Sequence, residues 1–110
     1  MGGNYLSFTM AVILQALDGG YRYGFDVMDV TGLPSGTVYP ALRRLEQLGF
    51  VASSWESEEE ARREQRPARK YYELSPDGRK ALGEALKRYR LLDRATAPSP
   101  REREPEPEQG

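Results

Sequence analysis

The chain of 110 residues contains no cysteine and no histidine. Their absence removes disulfides, thiol nucleophiles, imidazole bases and the usual zinc-ligand sets. No apolar run approaches the roughly 20 residues needed to cross a bilayer. No basic segment precedes the apolar stretch near the N-terminus, so no signal peptide is expected. Also missing are a phosphate-binding glycine loop and a pair of carboxylates set among apolar residues. The expectation is therefore a cytoplasmic protein that is not an enzyme, with no catalytic residue, cofactor, metal or membrane partner. The length suits one small domain with a modest core, and internal repeats are absent.

What is present is unevenly spread. The formal net charge is −1, but residues 66–95 carry nine basic side chains against four acidic ones. Residues 55–65 carry five acidic against two basic, and residues 96–110 four acidic against two basic. A patch of one sign matters for contact with nucleic acid, whatever the sum over the chain.

Periodicity and capping residues divide the chain into a few elements. Residues 7–18 read as a helix that Ser7 can cap and Gly19-Gly20 stop. Its residues Phe8, Met10, Ala11, Val12, Ile13, Leu14, Ala16 and Leu17 are apolar on nearly every side. Such a helix must be covered all round. A partner subunit is the expected cover; the alternative is the chain's own C-terminal helix. A second short helix spans residues 24–31, and Pro34 sets the entry to a third, from about Ser35 to Leu48, with Gly49 after it.

Residues 50–55 and 68–74 read as two strands joined by a charged loop, 56–67, in which the glutamates make a solubilising tip. Ser75-Pro76 starts a last helix. It is expected to run to about Arg94 with the stripe Leu82, Ala85, Leu86, Tyr89 and Leu92. The proline-rich and charged remainder, 96–110, is expected to be disordered.

In the third helix Val38, Ala41, Leu42, Leu45 and Leu48 share one side at about 100° per residue. Gly36, Pro40, Arg43 and Gln47 lie opposite, flanked by Tyr39 and Arg44. A solvated face is the plain reading. Against it stand a proline inside a helix, which removes a backbone hydrogen bond, and an exposed tyrosine. Free amides at the helix start, beside the hydroxyls of Ser35 and Thr37, suit a phosphate. Whether Ser35 or Thr37 is the cap stays open; with Thr37, Pro40 falls in the free-amide turn.

On the return strand Arg66, Arg69 and Lys70 cluster beside Tyr71 and Tyr72, with Arg69 and Tyr71 on one face and Tyr72 and Leu74 on the other. Arginines on a hairpin suit phosphates or the minor groove. Two helices joined by a turn, then a basic hairpin, make a winged helix-turn-helix arrangement. The expected fold class is mainly α with a small β-hairpin wing. Trp55 and Tyr89 are candidates for a small aromatic site, but Trp55 packing on the wing is the preferred reading.

Three stretches resemble the PadR-like transcriptional regulators. They are Tyr23-Gly24-Phe25, Leu33 to Glu46 with Gly49-Phe50-Val51, and Arg66 to Ser75 with Gly78-Arg79. In order and spacing they cover roughly residues 8–92. Family members commonly carry a histidine before the Gly-Tyr pair, where this chain has Arg22-Tyr23-Gly24-Phe25. The resemblance implies a winged helix-turn-helix domain with C-terminal helical dimerisation, and mostly repressor activity. This chain looks like the short subgroup with a single helix after the wing. DNA contacts are implied from Ser35, Thr37, Tyr39 and the wing arginines.

The full expectation divides the chain into a DNA-binding domain over 1–75, a dimerisation helix over 76–95 and a tail over 96–110. The DNA-binding set is Ser35, Gly36, Thr37, Tyr39, Pro40, Arg43, Arg44, Arg66, Arg69 and Lys70. The dimer interface is Phe8, Val12, Ile13, Leu82, Leu86 and Tyr89. The partners are a double-stranded operator with an inverted repeat and a second copy of the chain; no inducer is specified. A ligand-responsive repressor is a variant of this reading. A protein-interaction module that kept the fold without DNA binding is the competing one.

Overall fold

Ser7 starts the first helix as its capping position suggests: its Oγ accepts a hydrogen bond from the Met10 amide at 3.1 Å. The computed structural model describes residues 6–90. In chain order the elements are α1 (Phe8–Asp18), α2 (Gly24–Thr31), α3 (Ser35–Gln47), β1 (Val51–Trp55), α4 (Glu58–Arg63), β2 (Lys70–Leu74) and α5 (Pro76–Arg88). The expected tail, with Leu92 and Arg94, lies outside the described residues.

Helix α1 is the centre of the molecule. It packs against α2, α3, β2 and α5, and Ala11, Ile13 and Leu14 have no exposed surface. The chain's own elements cover one side of α1, while Phe8 stays exposed and Met10 and Val12 half-buried. Ile13 and Leu82, expected at a dimer interface, are core residues of the single subunit, at 0% and 5% exposure. Burial removes apolar area from water wherever the cover comes from, so an all-round apolar helix cannot by itself distinguish an internal neighbour from a partner.

Gly32 turns α2 into α3. Its φ of 77° is a left-handed conformation that favours glycine. Thr31 bridges the same turn, donating its hydroxyl to the Val27 carbonyl and accepting from the Leu33 amide. Helix α3 ends at a second left-handed glycine, Gly49, with φ 81°. There the Gly49 amide reaches the Glu46 carbonyl and the Phe50 amide the Leu45 carbonyl, both at 3.0 Å. This paired closure satisfies carbonyls that the helix end would otherwise leave open.

Strands β1 and β2 pair antiparallel, with Val51 opposite Leu74 and Trp55 opposite Lys70. A single bridge from Tyr23 to Tyr71 ties the start of α2 to the outer strand. Residues 56–67, expected as a loop, contain helix α4. Ser57 caps it by accepting from the Glu60 amide at 3.1 Å. Three glutamates in its first turn and two arginines in its last match the helix dipole. It closes with Gln65 at φ 59° and the Arg66 amide on the Ala61 carbonyl.

Helix α5 begins as expected, with Ser75 capping the Gly78 amide at 3.0 Å and Pro76 in the first turn. It does not run unbroken to Arg94. Tyr89 leaves the helical conformation at φ −109° and ψ 91°, and its hydroxyl donates to the Leu6 carbonyl at 2.8 Å.

Candidate nucleic-acid interface

The inner side of α3 is fixed by Val38, Leu42 and Leu45, all without exposed surface. That burial turns Ser35, Gly36, Tyr39, Pro40, Arg43, Arg44 and Gln47 outward, with Thr37 half-buried. The helix is capped by Pro34, so neither Ser35 nor Thr37 is the cap. The Thr37 and Val38 amides both reach the Pro34 carbonyl. The amides of Ser35 and Gly36 have no partner among the described residues, and amides at a helix start attract anions. Pro40 lies beyond this free-amide turn and cannot give the Gly36 carbonyl its usual amide donor. A side chain at Gly36 would meet nothing within 4 Å. Packing inside the subunit therefore does not require glycine there, and the position leaves room for close approach from outside.

Tyr39 is 39% exposed, yet it is not a loose aromatic. A Cβ at Gly24 would stand 2.4 Å from its ring. The ring thus rests on the bare backbone at the start of α2, and Gly24 is buried beneath it. This contact gives the Tyr-Gly-Phe stretch its physical meaning.

The hairpin is positioned on α3 by Ser53, whose hydroxyl donates to Glu46 Oε2 at 2.6 Å. Tyr72, opposite Ser53, is buried at 7% exposure, and that burial pushes its phenol pKa up, helped by Glu46 nearby. Beyond it Arg69 stacks its guanidinium on the Tyr23 ring at 3.9 Å. Lys70 Nζ sits 5.9 Å from the Trp55 ring centre and 5.8 Å from that of Tyr72. Trp55 itself is 66% exposed.

Arg66 is engaged within the hairpin. Its two terminal nitrogens fork onto Glu56, at 2.5 and 2.9 Å. Glu56 also accepts from the Arg69 amide at 3.2 Å, and its own amide donates to the Arg69 carbonyl at 2.8 Å. The Arg66 guanidinium holds the Glu56 carboxyl down, from 4.5 to about 2, with the Arg69 amide adding to the effect. Glu56 is therefore the buried closure of the hairpin and not part of a solubilising tip; the exposed glutamates of this segment are Glu58, Glu59, Glu60 and Glu64. Arg66, expected among the DNA contacts, is thus ion-paired within the hairpin and partly exposed.

Between the start of α2, α3 and the hairpin lies an open cavity of about 340 Å³. Tyr23, Phe25, Tyr39, Trp55, Arg69 and Lys70 line it, with Gly24 and Tyr72 at its base. Phe25 is 68% exposed. Sequence periodicity gave no reason to single it out, because an apolar residue in a short helix reads as core. Trp55 and Tyr89 do not share a site: Tyr89 packs edge-on against Phe8, with ring centres 5.4 Å apart.

Of the expected dimer residues, Phe8 is exposed, and Val12, Leu86 and Tyr89 are half-buried along α1 and the end of α5. Among the described residues no helix is long and apolar enough to cross a membrane.

The family described as the transcriptional regulator PadR-like family matches residues 13–84. The chain also superimposes on solved structures. A PadR family transcription regulator from Clostridium difficile R20291 shares 23% identity with a TM-score of 0.67, over 81% of this chain and 94% of that one. A PadR-like transcription factor from Bacteroides fragilis shares 28% identity with a TM-score of 0.61, over 78% and 84%. The transcriptional regulator BldR from Sulfolobus solfataricus shares 23% with a TM-score of 0.68, over 91% and 69%. The two at 23% identity bear on the fold alone. No curated protein matches the chain.

Proposed function

The chain belongs to the transcriptional regulator PadR-like family, and from that premise we propose that it is a homodimeric repressor that reads an inverted-repeat operator in the cytoplasm. Its family makes it a DNA-binding regulator and not an enzyme. One observation carries the finer reading. The outward face of α3 combines two amides without partners, an unfilled glycine and exposed Arg43, Arg44 and Gln47, all beside the basic edge of the hairpin.

In this reading α3 enters the major groove. Arg43 or Arg44 pairs a guanine edge, which a guanidinium can do with two hydrogen bonds. The amides and hydroxyls at Ser35, Gly36 and Thr37 hold a phosphate, while Tyr39 and Pro40 meet the groove wall. Arg69 and Lys70 follow the backbone. The second subunit packs through Phe8, Val12, Leu86 and Tyr89. Two reading helices related by a two-fold axis then match half-sites about 10 base pairs apart.

The test is a fluorescence-anisotropy titration of the DNA upstream of the protein's own gene against a scrambled duplex, at several salt concentrations. The upstream duplex should bind roughly 10³-fold more tightly, with affinity falling steeply as salt rises. Equal binding of the two duplexes would overturn sequence reading. An affinity indifferent to salt would overturn phosphate contact.

A further inference from the structure

Glu56 is a carboxylate in the hairpin whose cationic edge meets phosphate in the proposed operator complex. Its side chain is 6% exposed, so it does not touch DNA itself. An acid in such a place repels phosphates and lowers affinity unless it serves the cations beside it. Its bonds identify what it holds. Arg66 forks onto both of its oxygens, at 2.5 and 2.9 Å. Oε1 also accepts from the Arg69 amide at 3.2 Å, and the Glu56 amide donates to the Arg69 carbonyl at 2.8 Å. The Arg69 backbone is thus gripped at its amide and at its carbonyl by one residue. From this anchored backbone the Arg69 guanidinium lies over the Tyr23 ring, 3.9 Å from its centre. Tyr23 is itself fixed: its backbone bridges to Tyr71, and the two rings meet edge-on at 6.2 Å. A guanidinium held by its face keeps its N–H edge free for a phosphate and has fewer conformations to lose on contact.

We propose that Glu56 is a positioning residue of the nucleic-acid interface. By pinning the Arg69 backbone and taking up Arg66, it presents the Arg69 guanidinium, flat on Tyr23, to one DNA phosphate. The inference rests on the reading of the hairpin as a phosphate-binding edge. It gives the two arginines separate tasks: Arg66 completes the anchor, and Arg69 makes the contact. It also reverses the expectation from charge alone. Removing a carboxylate beside the phosphates raises affinity by simple electrostatics, and it frees Arg66 to meet a phosphate of its own. Positioning demands a loss instead, because an unanchored Arg69 must be ordered at the moment of binding.

The experiment is a double-mutant cycle on the full chain, read by fluorescence anisotropy with the upstream and scrambled duplexes at one salt concentration. Glu56→Gln, Arg69→Ala and the pair are compared at a temperature where each keeps the parent circular dichroism. Glu56→Gln should weaken both duplexes by about threefold to tenfold, up to the worth of one phosphate contact. Once Arg69 is alanine, the same substitution should no longer weaken binding. A residue that only supports the fold would cost the same in either background. Glu56→Gln combined with Arg43→Ala is the reference, and there the losses should add. Glu56→Asp keeps the charge but draws it back by one methylene. It should lose affinity in the same way, so the outcome does not hang on the folding of one variant. Unchanged or tighter DNA binding by the Glu56 variants, or an equal loss with and without Arg69, overturns the positioning role and leaves the regulator reading intact. A parent that binds neither duplex, or an Arg69→Ala variant that binds like the parent, overturns the DNA reading of the hairpin and the positioning role with it.

Discussion

Tyr39 rests its ring on Gly24 so closely that a methyl group there would stand 2.4 Å from the nearest ring carbon. The contact joins the start of α2 to the outward side of α3 and sets where the tyrosine hydroxyl points. Gly24→Ala should lower stability by about 1–3 kcal/mol, the range for overpacking a filled site, read by urea denaturation. Adding Tyr39→Ala to Gly24→Ala should recover part of that loss. Additive losses would mean the two positions do not share a contact.

Helix α3 and the hairpin should be separable by their DNA phenotypes. Arg43→Ala should cost about 1–3 kcal/mol on the operator and less on scrambled DNA, relaxing specificity. Arg69→Ala should weaken both duplexes alike and make the salt slope shallower by about one phosphate contact. Arg66→Ala should act differently: with Glu56 left buried without its ion-pair partner and holding only the Arg69 amide, the melting temperature should fall. Titrations at fixed salt, paired with thermal melts, distinguish the three variants.

Acid should loosen the hairpin. The Glu56 carboxyl is held near 2 in the folded chain against its ordinary 4.5. A lowered carboxyl pKa contributes stability above the unfolded value and loses it as pH falls through the folded value. Stability should therefore drop between about pH 4.5 and pH 2. Glu56→Gln should be less stable than the parent at neutral pH and should lose this part of the acid dependence. Urea midpoints across that window measure it; an unchanged slope in Glu56→Gln would assign the dependence to other groups.

The subunit contact and the core should respond differently to charge. Phe8→Glu and Leu86→Glu place a carboxylate on surface that α1 and α5 leave partly open. Sedimentation should then show a particle near the 12.4 kDa subunit mass with its helical circular dichroism retained. Ile13→Asp buries an unpaired charge at a site with no exposure and should unfold the chain outright.

The helices and strands were legible where one local signal decides. Ser7, Ser75-Pro76, Gly32 and Gly49 each mark a boundary through capping or a left-handed turn, and the structure keeps all four. Helix α4 was also legible: Ser57 followed three residues later by Glu60 is a capping pattern, hidden under the impression of a charged loop. The partners of side chains were not legible. That Arg66 forks onto Glu56, ten residues earlier, depends on how the hairpin folds back. That Ile13 faces the chain's own helices depends on tertiary packing, which periodicity does not report. The outward set on α3 was readable because a single buried stripe, Val38, Leu42 and Leu45, fixes it.

The junction at the start of α5 has a mechanical consequence. The Ser75 hydroxyl donates to the Gly49 carbonyl at 2.6 Å, and the Ser75 amide to the Phe50 carbonyl at 3.0 Å. Gly78 lies so near that any side chain there would strike the Phe50 carbonyl, at 1.9 Å. The first turn of α5 is thus held against the turn that follows α3. In a dimer joined through α1 and α5, the two reading helices become jaws of a rigid caliper. Such a caliper accepts one half-site separation, and a base pair inserted at an operator's centre would have to be absorbed by the DNA.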